Sequence, residues 1–152
     1  MQVLDTSAFI HRYSCSEQTV STAAVRTELT GRASYRFDAD VAGGMRLHSP
    51  STASVERVRA AAADSGDAAV LSETDIGLVA TAFELEAALV TDDYAMQNVA
   101  DRLHLQTHQI AREGISTTRI WRFQCQGCGR TFDASAERCP ICGAAVTRKA
   151  PR

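Results

Sequence analysis

The chain has a single lysine, Lys149, against fifteen arginines. A GC-rich genome produces that bias without any functional cause. Nowhere does a run of about 18 apolar residues occur, and no positively charged start leads into an apolar segment. A membrane span and a secretory leader are thereby excluded, and a soluble cytoplasmic protein without a membrane partner is expected. There is no internal repeat and no low-complexity tract. The four histidines, His11, His48, His104 and His108, do not pair at metal-ligand spacing on any predicted face. Between Gly31 and Gly44 the sequence loses clear periodicity and offers no motif. No small-molecule cofactor is expected.

What is present is enough for one compact domain with a small appendage, since 152 residues with 45% hydrophobic content can build a core. The formal charge of −2 conceals an asymmetry. Residues 1–118 hold nine arginines and sixteen acids, a net −7, whereas residues 119–152 hold six arginines and one lysine against Asp133 and Glu137, a net +5. An acidic body with a basic tail predicts that the tail meets a polyanion.

Short apolar runs alternate with helical periodicities. Met1 to Leu4 reads as a strand, followed by a helix capped by Thr6 or Ser7. Residues 14–18 read as a loop, and Ser21 or Thr22 caps a helix with Val25 and Leu29 on one side. Glu28 borders that stripe. Met45 to His48 reads as the second strand, stopped by Pro50, and a helix over 51–63 closes at Ser65-Gly66-Asp67. Ser72 and Asp75 form a capping box for the next helix. Ala87 to Val90 is a strand buried on both faces, a helix resumes near Tyr94, and 103–108 gives a last strand. The fold class is therefore α/β, three-layered, with a central parallel sheet and right-handed crossovers, plus a small C-terminal ribbon. The boundaries fall at 1–112 for the body, 113–123 for a connection, 124–146 for the ribbon and 147–152 for a basic tail.

Asp5 and the Asp92-Asp93 pair follow strands, Asp75 opens a helix, and Glu28 lies on a helix able to cross the same sheet edge. Each has a plainer role available: an Asx-turn, a turn, a helix cap, a surface acid. Together they predict one rim of carboxylates, where ligands bind in such sheets. Clustered carboxylates repel unless a cation lies among them, and an all-oxygen set selects Mg²⁺ or Mn²⁺.

Cys125-x-x-Cys128 and Cys139-x-x-Cys142 repeat one spacing, with Gly129 and Gly143 directly after each pair. In a cytosolic chain this predicts a closed tetrahedral Zn²⁺ site of structural type rather than disulfides. The lone Cys15 reads as a small hydrophobe. Around the ribbon, Arg119, Arg122, Arg130, Arg138, Arg148 and Lys149 are candidate RNA contacts, interleaved with Trp121, Phe123 and Phe132. Trp121 and Phe123 are equally suited to packing the ribbon onto the body.

The order VLDTSAFI at 3–10, Glu28 on a helix, LSETDIGLVATAFEL at 71–85 and LVTDDYAMQNVA at 89–100 resembles the PIN-domain nucleases. YAMQNVA followed by a four-cysteine ribbon resembles, within them, the short archaeal endonucleases that mature the 3′ end of small-subunit ribosomal RNA. The resemblance implies a metal-dependent phosphodiesterase acting on precursor ribosomal RNA in a pre-ribosomal particle. It implies that Asp5, Glu28, Asp75 and Asp93 are the acidic residues, with Asp92 beside them, and that Thr6 and Thr91 orient a carboxylate or water. The alternatives are a non-catalytic RNA-binding assembly factor and a toxin-type PIN ribonuclease, the latter disfavoured by the ribbon.

Overall fold

A computed structural model describes residues 1–110, 122–133 and 136–149. The body is a five-stranded parallel sheet, built from β1 (Gln2–Leu4), β2 (Thr19–Ser21), β3 (Arg46–Leu47), β4 (Ala88–Val90) and β5 (Thr107–His108) in the order β3-β2-β1-β4-β5. Helices α1 (Thr6–Ile10), α2 (Ala23–Glu28) and α3 (Gly31–Ala42) connect β1 to β3. Helices α4 (Thr52–Ser65) and α5 (Glu73–Glu84) lead back to β4, and α6 (Tyr94–Arg102) joins β4 to β5. The first group packs through α1 and the second packs α4, α5 and α6 on one another, so with right-handed crossovers the two sets cover opposite faces.

The core follows from the central strands. Val3, Leu4, Val20, Leu89 and Val90 are buried, and Val25, Phe37, Val58, Leu78, Val79, Met96 and Val99 pack on them from the helices. Among the described residues no helix is long and apolar enough to cross a membrane.

Three elements differ from the sequence reading. The last strand, expected over 103–108, is only Thr107–His108, because α6 runs to Arg102 and a turn with His104 at φ of 58° follows it. The second strand is Thr19–Ser21, which makes the 45–48 segment the third, reduced to Arg46–Leu47. A three-residue strand with one apolar residue leaves almost no period-two signal. Residues 31–42, which carry no readable stripe, form a three-turn helix that buries only Ser34 and Phe37; Phe37 meets Phe9 with ring centroids 5.1 Å apart. Ala33 and Val41, four residues to either side of Phe37, also pack on the core, so a helical stripe is present, but the polar and small residues around it obscure it in the sequence.

The ribbon is an antiparallel sheet of β6 (Arg122–Cys125), β7 (Thr131–Phe132) and β8 (Val146–Lys149), in the order β7-β6-β8. β6 and β8 extend past the 124–146 span at both ends. Phe123 is buried against the turn that ends α4, where Gly66 has φ of 80° and a Cβ would lie 2.3 Å from the Phe123 ring. The next residue, Asp67, has no exposed surface; Arg148 donates to its Oδ1 and Asn98 of α6 to its Oδ2, the latter at 3.4 Å. The ribbon is thus docked on the turn after α4 by one aromatic and one ion pair, and the same Asp67 in turn accepts from Asn98 of α6.

Candidate active site and metal centres

Leu4 and Val90 are in register at the carboxyl ends of β1 and β4, and from there the chain turns opposite ways, toward β2 and toward β5. At such a switch point the connections diverge and leave a crevice. Asp5 stands at its centre, 7% exposed, its N–H bonded to Val90 O at 3.2 Å. Its Oδ1 caps α1 by accepting from Thr6 N at 2.5 Å, and its Oδ2 accepts from Ser7 Oγ and Thr91 Oγ1, both at 2.8 Å. The cap is therefore Asp5 itself rather than Thr6 or Ser7.

Thr91 carries the geometry. It is fully buried, and its hydroxyl donates to Asp5 Oδ2 while accepting from Asp93 N at 3.1 Å. One side chain therefore fixes acids from two strands. Asp93 caps α6, its Oδ1 accepting from Ala95 N at 2.7 Å and Met96 N at 3.0 Å. Asp75 completes the capping box of α5, accepting from Ser72 N at 2.8 Å while its own N–H donates to Ser72 Oγ at 3.1 Å. Burial raises the Asp75 carboxyl above its ordinary pKa against the pull of the Ser72 backbone N–H and hydroxyl on the carboxylate, and the negative charges of Asp5 and Asp93 push it the same way as burial. These couplings put the three acids in one electrostatic neighbourhood. Glu28, the last residue of α2, is exposed and accepts from Thr6 Oγ1 at 3.1 Å, which ties it to the same rim. Asp92 turns elsewhere: its Oδ1 accepts from Ile110 N at 2.8 Å, beyond the end of β5.

The donor set is carboxylate and hydroxyl only, which fits a hard divalent cation. Among the described residues, the only three or more His, Cys, Asp or Glu donors lying within 4.8 Å of one another are the four cysteines. Asp5, Glu28, Asp75 and Asp93 are therefore not gathered within that distance in this structure. Thr22, the residue before α2 at this edge, has a buried hydroxyl with no hydrogen-bond partner among the described residues, so it follows β2 without capping α2 through its side chain. Among the described residues no cationic side chain pairs with Asp75, and the carboxylate and hydroxyl donors fit the hard cation that the residue pattern implies.

In the ribbon, Cys125 Sγ lies 3.3 Å from Cys142 Sγ and Cys128 Sγ 3.7 Å from Cys139 Sγ. A tetrahedron with metal–sulfur bonds of about 2.3 Å has edges of about 3.8 Å, so the four sulfurs are arranged to hold one ion. Backbone N–H groups of Gly127 and Cys128 point at Cys125 Sγ at 3.3 and 3.4 Å, and that of Ile141 at Cys139 Sγ at 3.5 Å. The Cys128 N–H leads in drawing the Cys125 thiol down to about 6. The Ala144 N–H favours the Cys142 thiolate, yet the crowded sulfurs, Cys125 first, push that thiol up to about 11. Gly127 is confined by packing, since a Cβ there would approach Ala144 to 2.7 Å and Cys142 Sγ to 3.3 Å.

The candidate RNA contacts separate. Arg122, Arg130 and Arg138 are exposed, Arg138 also reaching Gly143 O at 3.4 Å. Arg148 is instead half-buried against Asp67. Lys149 is placed by its backbone as the last residue of β8, opposite Arg122. Arg119 and Trp121 lie outside the described residues.

A family model for the PIN domain of ribonuclease matches residues 2–85, which include Asp5, Glu28 and Asp75. The chain belongs to the PIN-domain ribonuclease family. Endoribonuclease Nob1 of Methanocaldococcus jannaschii is 34% identical over 98% of this chain and 77% of its own length. The protein of the same name from Archaeoglobus fulgidus is 36% identical over 98% of this chain and 91% of its own. Matches of that extent take in the ribbon as well as the body. Ribonuclease VapC1 of Thermoplasma acidophilum is 36% identical but aligns with only 68% of this chain and 54% of its own length. The PIN body combined with the four-cysteine ribbon therefore places the chain with the archaeal Nob1 endoribonucleases, and it is a nuclease of the hydrolase class.

Proposed function

We propose that this PIN-domain protein is a Mg²⁺- or Mn²⁺-dependent endoribonuclease that cuts precursor small-subunit ribosomal RNA in the cytoplasm, within a pre-ribosomal particle, to form the mature 3′ end. The observation that carries the reading is the Thr91 hydroxyl joining Asp5 to Asp93 at the sheet's switch point, with Asp75 coupled to both. Asp5, Asp75 and Asp93 would hold the catalytic ion, Asp93 rather than Asp92, because Asp92 is engaged with Ile110. Such an ion supplies a nucleophilic water at neutral pH and neutralises charge on the phosphodiester. Glu28, exposed and steadied by Thr6, is placed to accept a proton from the attacking water. The buried Asp5 is held in one orientation, its two oxygens accepting three hydrogen bonds. The cysteine cluster would hold structural Zn²⁺, since four sulfurs leave no position for water. Arg122, Arg130, Arg138 and Lys149, with Arg119, would lie along the RNA backbone.

The test is incubation of the purified protein with RNA spanning the 3′ end of the small-subunit species, with Mn²⁺, with Mg²⁺ or with neither, followed by mapping of product ends. A single metal-dependent cut is expected, absent in Asp75→Asn and Asp93→Asn while RNA binding persists. If both variants cut as fast as the parent, the assignment is wrong. Cleavage of transfer RNA in preference would favour the toxin-type reading.

A further inference from the structure

The body as a whole is acidic, but one shoulder beside the carboxylate rim is not. On α3, Arg32 and Tyr35 are three residues apart and so share a helix face. Arg32 is exposed, and Tyr35 is 74% exposed, the most open of the large apolar side chains among the described residues. Arg36 reaches across to Phe9 O at 2.8 Å and Ile10 O at 3.4 Å, closing the carboxyl end of α1 and holding α3 against it. That end of α1 adds Ile10, 54% exposed, and the exposed Arg12. Between Leu29 and Phe37 there is no acidic residue. The nearest acid on α3, Asp38, is neutralised by a two-pronged bond from Arg26 at 2.6 and 2.9 Å. The shoulder is thus cationic and aromatic.

Its position follows from the same helices that build the site. α1 begins at Thr6, next to Asp5 and bonded to Glu28, and its five residues span about 7.5 Å. The Glu28 end of α2 leads through Thr30 directly into α3. A strand whose phosphate lies at the acids can therefore pass over Arg32 and Tyr35 within one or two nucleotides. Aromatic faces beside a guanidinium suit unpaired bases, which stack regardless of sequence, while phosphates pair with the arginine.

We propose that the Arg32–Tyr35 face of α3, joined to the end of α1, binds the single-stranded RNA flanking the scissile phosphate, Tyr35 stacking on a base and Arg32 contacting a phosphate. This rests on the endoribonuclease reading for the location of the cut but not for the binding itself. The test measures equilibrium binding of a fluorescent single-stranded RNA of mixed sequence to the full chain carrying Asp75→Asn, so that nothing is cut, across a series of salt concentrations. Tyr35→Ala should weaken binding about ten-fold or more, and Tyr35→Phe should restore it. Arg32→Ala should lower the slope of log affinity against log salt by about 0.7. Val70→Ala, at an apolar side chain 58% exposed between α4 and α5, should change neither. In the uncompromised chain Tyr35→Ala should raise KM with little effect on kcat. Parent-like affinity and salt slope in both variants overturn the proposal, as does an equal loss in Val70→Ala. Loss of binding in the Tyr35 and Arg32 variants alongside a parent that cuts no RNA upholds this surface and refutes the nuclease reading.

Discussion

Replacing Thr91 with valine tests the joint on which the candidate site depends. The side chain keeps its shape, but Asp5 Oδ2 loses a donor at 2.8 Å and the Asp93 N–H loses an acceptor at 3.1 Å, both around a fully buried atom. A hydrogen bond to a charged group contributes about 1.5–3 kcal/mol, and a stranded N–H adds a desolvation cost, so a loss of about 2–3 kcal/mol is expected. For a chain of this length that lowers the melting temperature by roughly 5–10 °C. The larger effect should be functional, because groups that hold metal-binding carboxylates in place change metal affinity or activity by about 10–100-fold when removed. The assay is titration of Mn²⁺ into the metal-free body, followed by melting temperature and by cleavage rate at saturating RNA. Thr91→Ser, which retains the hydroxyl and loses only a methyl, should recover most of the metal affinity. If valine leaves Mn²⁺ affinity and rate at parental values, or serine is as poor as valine, Thr91 is packing and the argument fails.

Asp75→Asn should separate charge from capping, since the amide oxygen still accepts from Ser72 N. The folded-state pKa of Asp75 is raised above 3.8, so the folded chain binds the extra proton and stability falls as pH rises through the interval between the two values. Without divalent ions at pH 7–8 the variant should therefore melt at or above the parent, and added Mn²⁺ should stabilise the parent alone; equal Mn²⁺ shifts would refute the role. Arg148→Met leaves Asp67 buried without its cation, which should cost about 3 kcal/mol, with partial recovery in the Asp67→Asn/Arg148→Met double variant read by a double-mutant cycle of thermal melts. Gly66→Ala should loosen the ribbon from the other side of the same contact, its Cβ displacing Phe123, and increase proteolysis of the ribbon without changing metal binding at the acids. Stripping the ribbon's metal with a thiol-directed chelator should abolish protection of β6 to β8 in hydrogen exchange while the body keeps its cooperative melt, because the core cluster lies entirely in the body.

Where the sequence was legible, a local rule and a tertiary consequence coincided. Ser72 and Asp75 read as a capping box, and the box is present, fixing the Asp75 carboxylate on the first turn of α5. Ala88–Val90 reads as a buried strand because apolar residues must fill a strand covered on both faces, and the acids after it then fall on the sheet's functional edge. The paired cysteine spacings required no fold at all to be interpreted. Illegibility had equally local causes. β2 is too short for a period, and the Ala33–Phe37–Val41 stripe of α3 is set among polar residues. Asp67 in Ser65-Gly66-Asp67 has the composition of any solvated turn, and only the arrival of Arg148, 81 residues later, distinguishes it from one.

That last pair bears on how the ribbon meets RNA. Arg148 had the same claim on the polyanion as Arg122, Arg130 and Arg138, being a cation in the basic tail, yet its guanidinium is committed to a carboxylate with no exposed surface. An isolated buried carboxylate is strongly disfavoured, so the body recruits the cation that RNA would otherwise compete for. The same Asp67 accepts from Asn98 on α6, the helix capped by Asp93. The ribbon is thus anchored to a carboxylate that also holds α6, the helix capped by Asp93, with Arg148 turned inward while Arg122, Arg130 and Arg138 are exposed. The proposed function draws on such a division: Arg148 is committed to holding the ribbon against the body, which leaves Arg122, Arg130 and Arg138 as the ribbon's candidates for RNA.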